Sequence, residues 1–334
     1  MKTEIEISKI LAGNLRRKGF TPYSDYSFFD DNILARRYAD IFGIEPSRNW
    51  FEAYKIVTEG QGDELRKINT LVSSSLLSLL AFHKLFLNNT DLCLEAEIPG
   101  HGESVKFDKC LFEVRNTVIR LPSCVDVALY STESNILLFL ESKFTEIFSI
   151  CEKTHYGKGY IDLYSAYLPN LFGGCLKVEQ SKFKGKDRLL LETVGNRKRY
   201  IDGIKQSVSH LIGLVRGPYK GGQGYYPDEY YEMYGTLYDN ACELFYGTIL
   251  YEPKGLNEDN GLCNDYIDLY RNTIGEHGAE IVDGIREWDR RQNMSCDKAK
   301  RITVLNEPLT YQTLFKGTNN NLLLTSDIQS FYSL

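Results

Sequence analysis

Glu141 and Lys143 stand two positions apart at the end of an apolar run, Leu137, Leu138, Phe139 and Leu140. Side chains alternate along a strand, so this acid and this base share the face of Leu137 and Phe139. A second acid, Asp126, lies in the preceding alternating run, "SCVDVALYS" (123–131), separated from the first by the short polar "TES". With Glu133 and Ser134 at the tip of a hairpin, Thr132 faces Asn135 and Asp126 falls opposite Glu141. Directly opposed residues have Cβ atoms about 4.5–5.5 Å apart. Two carboxylates that close repel, and one stays protonated unless a cation intervenes. Mg²⁺ (or Mn²⁺) suits the pair, because it takes one or two carboxylates with water and phosphate oxygens. The Ser142 carbonyl, between the charged residues, is a further potential ligand. Lys143 then has a role: its ammonium can orient a metal-bound water and balance charge on a phosphoryl group. The plain alternative is a Glu–Lys pair on an exposed sheet face, which leaves Asp126 unexplained.

The elements that must position these groups are readable from periodicity. From Asp63, a candidate N-cap, to about Leu87 the period is helical, with Leu65, Ile68, Val72, Leu76, Leu79 and Leu80 as the apolar stripe. Strands are expected over 109–120, 123–131 and 135–144, the last two forming an antiparallel hairpin. A helix over 200–217 carries Ile201, Ile204, Val208, Leu211, Ile212 and Val215 on one side. Arg199, Gly203, Gln206, Ser207 and His210 lie on the other. Beyond it come a Gly-rich loop (217–227), a strand (242–253), a helix near 265–286 and a strand near 301–315. This order predicts an α/β fold, a sheet flanked by helices. "KGGQG" (220–224) lacks the G-x-x-x-x-G-K-[ST] of a P-loop. The tyrosines beside it (225, 226, 230, 231 and 234) read as a packing surface in preference to base-stacking platforms.

Composition narrows the classes. The 334 residues are 43% hydrophobic and 25% charged, as expected of a globular chain. The N-terminus has no apolar signal core, and the greasiest stretch, 71–87, is broken by three serines, His83 and Lys84, so a cytoplasmic protein is expected. Eight cysteines without a C-x-x-C pair and five scattered histidines argue against a zinc site or a redox dithiol. The net charge is −6, yet residues 177–205 hold nine basic against four acidic residues. Such a basic island suits phosphate-backbone binding, with Lys198, Arg199 and Lys205 as candidate contacts, or else is a solvated surface loop.

Taken together, "CVDVALYSTESNILLFLESKF" resembles the PD-(D/E)XK nuclease superfamily. The resemblance implies a restriction-endonuclease-like core with a mixed central sheet, over residues 61–334, preceded by an N-terminal helical extension (1–60) packed on it. By position, Asp126 matches the first acid, Glu141 the second and Lys143 the lysine. The family's additional helix glutamate is matched by Glu64, and its glutamine on the helix after the third strand by Gln206. His210, one turn later, reads as a hydrogen-bonded neighbour and not a general base. One departure is that Pro122 stands four residues before Asp126, not next to it. The implied activity is Mg²⁺-dependent phosphodiester hydrolysis of nucleic acid, DNA ahead of RNA, leaving a 5′-phosphate and a 3′-hydroxyl. The alternative is a nuclease-fold module that has no activity and binds nucleic acid or a protein.

Overall fold

An unbroken apolar segment at 136–143 belongs at the centre of a sheet, and all eight of its residues are buried. The structure is a computed structural model. It describes the chain except residues 1, 25–26, 29–34, 60–66, 88–90, 99–100, 120–121, 149–152, 169–175, 194–200, 221–227, 253–260, 295–299, 317–318 and 334.

In chain order the elements begin with helices α1 (Lys2–Arg17), α2 (Ala35–Phe42), α3 (Arg48–Thr58) and α4 (Ser74–Phe82). Strands β1 (Leu94–Glu97), β2 (Ser104–Phe107), β3 (Lys109–Asn116), β4 (Ser123–Ser131) and β5 (Ile136–Lys143) follow. Next are β6 (Lys153–Tyr156), β7 (Leu176–Phe183), β8 (Lys186–Thr193), α5 (Ile201–Arg216), α6 (Asp228–Asn240) and β9 (Glu243–Leu250). The chain ends with α7 (Gly261–Tyr270), α8 (Gly278–Arg291), β10 (Arg301–Val304), β11 (Leu309–Thr310) and α9 (Ser326–Tyr332).

The main sheet has the order β10-β9-β5-β4-β3, with β11 also on β9. β3, β4 and β5 form an antiparallel meander, whereas β9 runs parallel to β5, and β10 and β11 parallel to β9. The α/β class and the mixed, helix-flanked sheet agree with the sequence. Between β5 and α5 the chain inserts a second, three-stranded antiparallel sheet, β6-β8-β7. Its β7–β8 turn is Lys184–Gly185, both at positive φ (50° and 73°), the geometry of a tight two-residue hairpin. The basic island is therefore largely a β-hairpin and not a surface loop.

The helix expected from Asp63 to about Leu87 is broken: Lys67 and Ile68 are helical, the chain turns over residues 69–72, and a further helix follows. Asp63 lies outside the described residues, and α4 begins after Ser73, whose side chain accepts from Leu76 N and so caps it. The stripe from Ile68 to Leu80 ran across that break. The helix near 265–286 is two helices joined by a π turn, Arg271–Gly275. The strand near 301–315 is two short strands with Pro308 before the second, ended by a helical turn at Tyr311–Leu314 that Thr310 caps. Tyr230 and Tyr234 of α6 are buried against β3: Tyr230 hydroxyl receives Phe112 N–H, and Tyr234 donates to Asn116 Oδ1 at 2.6 Å. The other tyrosines of that group include 225 and 226, outside the described residues. Near the termini, α1 meets α9 through Asn14 Nδ2 and the Phe331 carbonyl (2.6 Å), and Phe28, Phe42 and Phe331 pack ring on ring. Among the described residues no helix is long and apolar enough to cross a membrane.

Helix α5 lies close on the sheet because Gly213 has no side chain. A Cβ there would come within 2.6 Å of Asn116 Cβ and 2.9 Å of Ser123 Oγ. The face of α5 that carries Gly203, Ser207 and His210 is consequently buried, like its apolar face. Gly213→Val should lower stability by about 1–3 kcal/mol from overpacking, more than the few tenths gained in helix propensity. Urea unfolding measures this, and an unchanged midpoint would mean that α5 retreats at no cost.

Candidate functional site

The β4–β5 register pairs Val127 with Leu140 and Ser131 with Ile136. It therefore sets Asp126 beside Glu141, as the hairpin arithmetic requires. At this end of the ladder the Asp126 carboxylate takes over from main chain: Ser142 N–H donates to Asp126 Oδ2 at 2.7 Å. Ser142 itself is held from behind, its hydroxyl 3.3 Å from the Ser74 carbonyl and 2.8 Å from the Tyr311 hydroxyl. Lys143 Nζ donates to Glu141 Oε1 at 2.7 Å, both side chains being buried. From α5, His210 Nε2 reaches 3.1 Å from Glu141 Oε2, while its Nδ1 lies 3.2 Å from Ser123 Oγ.

These groups border a cleft of about 460 Å³, lined by Asp126, Glu141, Lys143 and Gln206 together with Glu113, Arg115 and Glu146. The amino end of α4, Ser73 to Ser75, forms its far wall. Glu146 fastens that wall to the strand end: its carboxylate accepts from Ser74 Oγ and from Phe144 N–H, each at 2.7 Å. The sequence-derived residues Asp126, Glu141, Lys143 and Gln206 are thus brought together. Lys205 lines an adjoining cleft, 3.9 Å from Asp202 Oδ1 and over the Tyr156 ring. Glu64, Lys198 and Arg199 lie outside the described residues.

The two acids are driven in opposite directions. Burial raises the Asp126 carboxyl well above its ordinary range, and the neighbouring charges of Glu141 and Glu113 raise it further. Burial also pushes Glu141 upward, but Lys143 and His210 outweigh it and bring its pKa below the usual value. Asp126 is a half-buried acid whose neighbours raise it more than Lys143 lowers it, and Glu141 Oε2 is buried without an aligned hydrogen-bond donor. A divalent cation between them would relieve both conditions. The main chain offers a third oxygen. Lys143 carbonyl is taken by Tyr251 N–H, so the Ser142 carbonyl points to the opposite side, the side on which Ser142 N–H meets Asp126. Among the described residues no three His, Cys, Asp or Glu side chains form a metal cage. Two carboxylates, a carbonyl and water are nonetheless a sufficient donor set for Mg²⁺.

One participant was not read from the sequence. Glu113 sits on β3, where the pairs Phe112–Val127 and Val114–Val125 place it beside Asp126. Its carboxylate accepts from Cys124 Sγ at 3.0 Å, and its φ of 50° is unusual for a non-glycine residue in a strand. Extending the hairpin arithmetic one strand back would have found it. His210, read as a hydrogen-bonded neighbour, stands as one, with Nδ1 3.2 Å from Ser123 Oγ and Nε2 3.1 Å from Glu141 Oε2.

No family model matches this chain, and no curated protein or solved structure matches it at the significance threshold applied.

The opposed electrostatics give opposed responses in EDTA. A raised acid is a charge the fold disfavours, so stability falls as pH rises above the unfolded value of about 3.9. Asp126→Asn should therefore raise the melting temperature at neutral pH, with the gain vanishing below about pH 4. Glu141's lowered value contributes stability above about pH 4.3, lost as pH falls through the folded value. Glu141→Gln should cost about 3–5 kcal/mol at neutral pH, as when one partner of a buried pair is removed, and less in acid. Melting curves from pH 3 to 8 test this, and shifts of the same sign in both variants would contradict the assignment.

Proposed function

We propose that this chain is a divalent-metal-dependent nuclease that hydrolyses phosphodiester bonds, with DNA as its substrate. The observation that carries the reading is the convergence of Asp126, Glu141 and Lys143 in one cleft, through the β4–β5 register and the Ser142–Asp126 hydrogen bond. The order of α4, an antiparallel three-strand meander, α5 and a parallel β9 supports a restriction-endonuclease-like core.

Asp126, Glu141 and the Ser142 carbonyl would hold Mg²⁺ or Mn²⁺. When bound, the ion supplies a polarised phosphate and a more acidic water. Lys143, already a hydrogen-bond donor at the Glu141 carboxylate, orients the attacking water and offsets negative charge on the phosphoryl oxygens. His210 and Ser123 keep Glu141 from turning away. Gln206, whose Oε1 is buried without a hydrogen-bond partner, borders the cleft and is suited to fix a water or a phosphate. Glu64 is assigned a supporting role by position in the sequence alone. A 5′-phosphate and a 3′-hydroxyl are the expected products.

The test is cleavage of linear, circular and single-stranded DNA, and of RNA, with and without Mg²⁺ or Mn²⁺. Glu141→Ala and Lys143→Ala should each lower the rate by about 10²-fold or more. Cleavage that persists in both variants would rule out this site. A second reading is favoured by one observation: Lys143 and His210 already balance Glu141 without a metal. On that reading the chain is a binding module with no activity, and calorimetry would detect no Mg²⁺ uptake.

A further inference from the structure

The carboxylate cleft opens onto a second, larger one of about 840 Å³, and Pro122, Cys124 and Gln206 belong to both. The second cleft lies between the inserted sheet and α5. Its charge is the reverse of the first. Lys158, Lys186, Arg188 and Lys205 line it, against Asp187 as the one acid among its lining residues. Lys158 and Lys186 are exposed, and neither they nor Arg188 forms an ion pair among the described residues. Arg188 lies across Gly157, its guanidinium 3.5 Å from where a side chain there would begin. The remaining wall is apolar and aromatic: Val118, Ile119 and the half-buried Tyr160. The insert is bound to α5 through Thr154 Oγ1 to Asp202 Oδ1 (2.6 Å) and Tyr156 hydroxyl to the Lys205 carbonyl (3.0 Å).

We propose that this second cleft seats a single DNA strand beside the carboxylates, with phosphates on the lysines and arginine and bases against Tyr160 and Ile119. The proposal takes its substrate class from the nuclease reading. A cationic wall facing an aromatic and apolar one is the combination used for unpaired strands, whose bases present their faces. A duplex keeps its bases inside and meets a protein largely through phosphates and groove edges. It would leave the Tyr160 wall unused. An unpaired strand in the basic cleft would pass Gln206 and reach Asp126 and Glu141 directly.

Binding is measurable without cleavage, in EDTA, by fluorescence anisotropy of the full chain with a labelled oligothymidylate of about twenty nucleotides. A mixed-sequence single strand and its duplex serve as comparisons. Single strands should bind more tightly than the duplex. The double variant Lys158→Glu/Lys186→Glu should lose at least about tenfold in single-strand affinity, and its salt slope should fall by about 1.4, or 0.7 per lost phosphate contact. The control Lys9→Glu/Lys316→Glu changes net charge equally at exposed positions away from the cleft and should lose far less. Tyr160→Ala, with folding checked by circular dichroism, should weaken single strands more than the duplex. Equal losses in both double variants, or a duplex bound as tightly as the single strands, would overturn the proposal. Strand binding without metal-dependent cleavage would leave this proposal standing and refute the nuclease reading; cleavage untouched by the lysine changes would do the reverse.

Discussion

A buried carboxylate in the middle of a sheet needs cationic or polar partners around it, and Glu141 is approached by nitrogen from two directions. Lys143 comes from its own strand at 2.7 Å and His210 from the covering helix at 3.1 Å. The first contact needs nothing beyond strand alternation. The second requires α5 to lie almost against β3 and β4, which the missing side chain at Gly213 permits. Helix placement, sheet register and the ionisation of the two acids are therefore one coupled arrangement. Asp126 is the less well compensated of the two: Lys143 acts on it as well, but burial and the charges of Glu141 and Glu113 outweigh that help. That imbalance is the condition that the proposed cation would relieve.

How legible this was depends on the kind of periodicity. The two-residue period of a hairpin is rigid, so the short "TES" segment determined which acids met, and Asp126 beside Glu141 could be computed from numbers alone. Helices are less legible, because a polar face does not say whether it meets water or a sheet. Ser207 and His210 are polar and buried, Ser207 receiving the Tyr246 hydroxyl at 3.1 Å and His210 approaching Glu141. Ser73 gives a similar lesson: a local side-chain cap outweighed an apolar stripe that continued across it. The inserted sheet was hidden for a third reason. Its β7–β8 hairpin is dense in lysine, and its turn is Lys-Gly, without the asparagine or aspartate that usually marks such a reversal.

The clefts form an electrostatic pair. On its own, a recess with Glu113, Asp126, Glu141 and Glu146 would repel a polyanion, more so in a chain of net charge −6. The adjoining lysines and arginine reverse that sign where the two recesses join at Gln206. On the proposed function, this separation of charge would let one recess attract phosphate while the other stays attractive to a cation.

The inserted sheet also interrupts the chain at a telling place. It departs just after Lys143 and returns at Ile201, a turn and a half before Gln206, so both of its attachments are rooted beside the acids. Among the described residues no strand of the main sheet pairs with it. Its length, charge or outline can therefore be recast without undoing any rung of the main ladder. What the insert would grip can thus be altered by substitution while Asp126, Glu141 and Lys143 stay fixed by the register of the main sheet.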